Sequence, residues 1–63
     1  MLTYRQFRSL VNSEVVARCG LGLECLADCD LSDYFDEDLT ESEARQMAIE
    51  AARDVLYDNN FPF

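Results

Sequence analysis

Apolar side chains recur at three- and four-residue steps in two stretches of the chain and lose that rhythm between them. In the first stretch they fall at Tyr4, Phe7, Leu10, Val11, Val15 and Cys19, the repeat that places side chains on one stripe of an α-helix. Arg5, Arg8, Ser9, Asn12 and Ser13 occupy the opposite face. Thr3 and Gln6 have the spacing of a capping box, Leu2 and Phe7 that of a hydrophobic staple, and Gly20 follows the last periodic residue as a stop. Val15 and Val16 are β-branched and cost roughly a few tenths of a kcal/mol in a helix, but the two-residue alternation of a strand is absent. The pattern predicts a helix over residues 4–19.

The second stretch is broader. Ala44, Met47, Ala48, Ala51 and Val55 form a stripe, flanked one step aside by Ile49, Ala52 and Leu56, with Arg45, Gln46, Glu50, Arg53 and Asp54 facing water. Thr40 and Glu43 form a second capping box, and Glu41 and Glu43 put negative charge in the first turn, where the helix dipole favours it. Asn59-Asn60-Phe61-Pro62 reads as a Schellman-type stop in which Asn60 turns left-handed, Phe61 returns to Leu56 and Pro62 prevents continuation. The predicted helix runs over about 40–59.

Between the helices, Leu23, Leu26, Ala27, Leu31, Tyr34 and Phe35 are too irregular for a long element. The expectation is one or two short helical turns: a helix of one to three turns near 22–29 and an aromatic-anchored turn at 31–35. The fold class is therefore all-α, one domain over 1–63, with the two main helices packed antiparallel or crossed and residues 21–38 covering an open side. The expected core is Phe7, Leu10, Val11, Val15, Leu26, Met47, Ala48, Ala51, Val55 and Leu56.

Composition bounds what such a chain does. A domain of 63 residues buries only ~60% of its unfolded surface and has no room for a deep pocket. There is no histidine and no lysine, and only two glycines, so Ser-His and Cys-His pairs, Schiff-base lysines and a glycine-rich phosphate cradle are all excluded. Paired carboxylates need an apolar pocket to raise one pKa, and a loop rich in like charge offers none. The expectation is a chain without catalytic residues and without a cofactor.

Cys19, Cys25 and Cys29 are three in number, so they cannot all pair within one chain, and they read as buried, reduced thiols. Zinc takes about four ligands, and this spacing lacks a fourth cysteine and any histidine. A calcium loop begun at Asp28 would need glycine and glutamate where the chain has Asp33 and Leu39. No metal site is expected. Met1 to Phe7 lacks the apolar core of a signal peptide, and no apolar run approaches the ~20 residues of a membrane span, which points to a cytoplasmic protein. An initiating Met1 and a helix closed just before Phe63 read as a complete short reading frame.

Charge is the most informative feature. The net charge is −8, and it is concentrated: Glu24, Asp28, Asp30, Asp33, Asp36, Glu37, Asp38, Glu41 and Glu43 follow one another without a cation, whereas Arg5, Arg8 and Arg18 against Glu14 leave the first helix positive. An acidic band of this kind serves solubility, holds a cation or engages a basic partner. Carboxylates on a folded frame can imitate a phosphate backbone, with one charge per ~1.7 Å of duplex axis, and the same charge argues against direct nucleic-acid binding. Tyr34, inside the band, supplies an aromatic anchor of the kind interfaces favour.

The function expected from the sequence is a non-enzymatic protein-binding module that masks a basic surface of a larger protein, such as one that holds nucleic acid. Its partner-binding residues would be Glu24, Asp28, Asp30, Asp33, Tyr34, Asp36, Glu37 and Asp38. The class-level analogy is with small acidic phage and mobile-element accessory proteins that inhibit host or defence complexes. The alternative is a small structural subunit that docks through the apolar stripe of the second helix, and a homodimer burying that stripe twice is a related expectation.

Overall fold

A computed structural model describes residues 1–27 and 30–62. It is all-helical: α1 spans Tyr4–Cys19, a single 3-10 turn spans Leu23–Cys25 and α2 spans Glu41–Asp58, with no strand among the described residues. Both capping boxes form. Thr3 Oγ1 accepts from the Gln6 amide at 3.1 Å while Gln6 Oε1 accepts from the Thr3 amide at 2.9 Å, and Thr40 and Glu43 repeat the exchange at 3.2 and 3.0 Å. Each box satisfies two amides that have no partner inside the helix.

The stops are equally local. Gly20 turns left-handed at φ 79° and its amide donates to Val16 O at 2.9 Å, the single-bond αL ending. At the end of α2, Asn60 has φ 63°, the Asn60 amide donates to Tyr57 O at 3.1 Å and the Phe61 amide to Leu56 O at 2.8 Å. These are the two bonds of a Schellman motif, and half-buried Phe61 packs against the core as the pattern predicts.

The helices run in the same direction, which corrects the antiparallel half of the expectation that they pack antiparallel or crossed. Leu2, Gln6 and Leu10 face Leu39, Glu41 and Ala44, and further along Leu10, Ser13 and Glu14 face Arg45, Ala48 and Ile49, so both sequences advance together. Phe35 lies beside the start of α1, with its ring 5.5 Å from Tyr4 and 5.8 Å from Phe7. The segment after α1 therefore travels back along the molecule before α2 begins. Sixteen residues of α1 make a rod of about 24 Å, which some 7 or 8 extended residues can retrace. The connection is long enough to do so with turns to spare, whereas antiparallel neighbours are usually joined by short loops.

The core contains Phe7, Val11 and Val15 from α1, Leu23 and Leu31 from the connection, and Ala44, Ala48, Ala51, Ala52, Val55 and Leu56 from α2, each no more than 3% exposed. Leu10, Leu26 and Met47, expected in the core, are half-buried at its edge. Leu23 and Leu31 take the inner places because the returning segment lies across the stripes of both helices. The helix expected near 22–29 is reduced to one 3-10 turn among the described residues, with Leu23 inward and Cys25 exposed. Cys25 is thus a correction to the reading of buried thiols, and Cys29 lies outside the described residues. The accessible surface of 4288 Å² compares with about 4,100 Å² for a folded monomer of this mass. The connection closes the stripes, so a dimer is not needed to cover them.

Two asparagines fix that connection. Asn12, expected to face water, is half-buried and its Oδ1 accepts from the Leu23 amide at 2.8 Å. Asn59 Oδ1 accepts from the Ala27 amide at 3.1 Å, while its Nδ2 donates to Ala27 O and Val55 O, both at 2.8 Å.

Candidate functional site

The acidic side of the molecule is built on a turn that Leu31 anchors. Its side chain is fully buried, and the Tyr34 amide donates to Leu31 O at 3.0 Å. One residue earlier, Asp30 Oδ1 accepts from the Ser32 amide at 3.0 Å and from Ser32 Oγ at 2.7 Å. The backbone bond, and after it the hydroxyl bond, favour the charged form and hold the Asp30 carboxyl below its usual value. The turn leaves Asp30 and Asp33 exposed and lays Tyr34, half-buried, against the core.

Two further carboxylates come from α2. Asp54 and Asp58 are four residues apart and share a helix flank. With Asp30, Asp33 and Tyr34 they surround an open hollow of about 360 Å³ floored by Ala51 and Val55. The sequence pattern assigned Asp54 only to a solvated face and gave Asp58 no role. The legible signal was the pair itself, two carboxylates at helical spacing with no cation in the last turn of α2. That placement opposes the helix dipole, whose C-terminal end is negative.

Of the expected binding residues that are described, the structure brings together Asp30, Asp33 and Tyr34 around the hollow and leaves Glu24, Asp36, Glu37 and Asp38 outside it. Glu24 is exposed on the 3-10 turn. Asp36 folds over its own turn, accepting from the Asp38 amide at 2.9 Å, and Asp36, Glu37 and Asp38 are exposed outside the hollow. Asp28 lies outside the described residues. Tyr34 is a wall of the hollow rather than a projecting tip. Among the described residues the most exposed aromatic is Tyr57, 80% exposed and adjacent in sequence to Asp58.

Among the described residues no three His, Cys, Asp or Glu side chains are grouped as a metal site. The four carboxylates face a common space without converging on a point. Among the described residues no helix is long and apolar enough to cross a membrane. The α2 stripe is occupied within the chain: Ala44, Ala48, Ala51, Ala52, Val55 and Leu56 are buried, leaving Met47 and Ile49 half-exposed. No family model, curated protein or solved structure matches the chain.

Proposed function

We propose that this chain is a non-enzymatic binding module whose acidic flank masks a basic surface of a larger protein. The observation that carries the reading is that Asp30 and Asp33 from the connection and Asp54 and Asp58 from α2 line one hollow with Tyr34, Ala51 and Val55. Arginine fits such a place well: its guanidinium pairs with spaced carboxylates, stacks on an aromatic face and lays its stem on apolar side chains. The carboxylates are spread rather than gathered, which favours an extended cationic surface over a single metal ion. Asp58 also sits where helix stability disfavours it, and local rules are broken at sites where function needs the residue.

A surface that binds phosphates presents the required arginines and lysines, so a nucleic-acid-binding protein is the partner class the charge fits best. The analogy with phage and mobile-element inhibitors enters at this level only. The alternative of docking through the α2 stripe has less support, because most of that stripe lies inside the fold.

The test is capture from the source cell or its host at low and moderate salt, using the wild type and the triple variant Asp33→Asn, Asp54→Asn, Asp58→Asn. The expected result is a basic protein retained by the wild type and lost from the variant. Capture that responds neither to salt nor to the variant would leave the carboxylates as a solubility device.

A further inference from the structure

The two walls of the acidic hollow come from different parts of the chain. Asp30, Asp33 and Tyr34 belong to the connection, and Asp54, Val55 and Asp58 to α2. Half-buried Asn59, the C-cap of α2, is bonded to both parts. Its Nδ2 donates to Val55 O at 2.8 Å, back onto the last turn of the helix, where Asp58 sits. The same nitrogen donates to Ala27 O at 2.8 Å while Oδ1 accepts from the Ala27 amide at 3.1 Å. A carboxamide that exchanges two bonds with one residue's backbone fixes direction as well as distance. Asp58 immediately precedes Asn59, and Asp30 follows Ala27 by three residues, so the Asp30 Cα lies within about 11 Å of the Ala27 Cα.

We infer that, on the reading of the acidic flank as the binding surface, Asn59 is a positioning residue that sets the spacing of its two walls from outside the hollow. Four carboxylates around one hollow repel one another, and among the described residues that line it there is no cation. Walls held in place beforehand bind a guanidinium without the cost of gathering them. Occupancy and clasp are then linked: a cation that engages both walls tightens the clasp, and the clasp favours the cation by the same factor.

One substitution sets spacing against charge. Asn59→Asp keeps an oxygen for the Ala27 amide but turns an acceptor toward the carbonyls of Ala27 and Val55, which opens the clasp. It also adds a negative charge beside Asp58. A site made by field strength alone binds cations more tightly in this variant, whereas a site made by spacing binds them less tightly.

Titration of an oligo-arginine peptide into the intact chain at low salt, followed by NMR at the Tyr34, Ala51 and Val55 amides, tests this. Wild type should bind with shifts at those amides, and Asn59→Asp should bind roughly fivefold or more weakly. Asn12→Ala, which loosens the connection at Leu23 instead, should bind as wild type does. In the wild type the peptide should also slow hydrogen exchange at the Ala27 amide more than at the Leu23 amide, a readout that needs no folded variant. Equal or tighter binding by Asn59→Asp, equal weakening by Asn12→Ala, or equal slowing at the two amides overturns the positioning role and leaves the acidic flank standing. No shift at the three amides in the wild type, or undiminished binding by the triple variant Asp33→Asn, Asp54→Asn, Asp58→Asn, removes the acidic flank as the binding surface and this role with it.

Discussion

The Asn59 carboxamide joins residues 32 positions apart, accepting from the Ala27 amide and donating to its carbonyl while also holding the last turn of α2 at Val55 O. Asn12 does the same service once, for the Leu23 amide. Neither is legible from periodicity, since asparagine on a helix reads as solvated or as a stop, and the backbone it meets is distant in sequence. Asn59→Ala should cost about 1–3 kcal/mol, because the Ala27 backbone groups and Val55 O lose a partner together, and urea unfolding measures it. Aspartate 30 gives a pH signature. Its carboxyl titrates below the usual value through the bonds from Ser32, so the stability it contributes is present above the ordinary aspartate value and is lost as pH falls through the lowered one. A pH titration followed by carboxyl NMR should find Asp30 below the ordinary aspartate range, and Ser32→Ala should move it upward. At Gly20, φ is 79° and no atom lies within 4 Å of an added Cβ, so Gly20→Ala costs backbone strain alone, roughly 1–2 kcal/mol.

At the scale of elements, the ends of α1 and α2 were readable because their signals are short-range. A hydroxyl, a carboxylate or carboxamide three residues on, and a left-handed Gly20 or Asn60 complete each motif within a single turn. Thr40→Ala should therefore lower stability by about 1 kcal/mol, seen as a lower melting midpoint. Asp58 illustrates the opposing case. It sits at the negative end of α2 with no cation in the last turn, so Asp58→Asn should raise stability by about 0.3–1 kcal/mol. If the acidic flank is the binding surface, the same substitution weakens capture of the basic partner. Thermal melts and binding measured on the one variant separate stability from function, and a variant both less stable and equally well bound would contradict the assignment.

For the whole molecule, a charge of −8 on 63 residues makes self-repulsion a general term. Adding sodium chloride should raise the melting midpoint by screening it, while slowing association with a basic partner by the same means. Tyr57→Ala should mainly speed dissociation, since its exposed ring can be desolvated on binding without disturbing the core. Val11 and Val55 are at most 3% exposed; aspartate at either place buries an unpaired charge and should abolish the cooperative melt.

Helix positions, caps, stops and the concentration of carboxylates were determined by the sequence alone, because each depends on residues within a few positions of one another. The direction of α2 relative to α1 was decided by tertiary structure: apolar stripes state which faces meet but carry no sense of travel. The same holds for the candidate site. Counting charges along the chain selected Asp36, Glu37 and Asp38 with Asp30 and Asp33, since all are neighbours in sequence. In the fold, Leu31 is buried and lays its turn against α2, where Asp54 and Asp58 line the hollow with Asp30 and Asp33 while the first three stay outside it. A field is set by distance through space, and that distance exists only once the connection has returned along α1 and been fastened by Asn12 and Asn59.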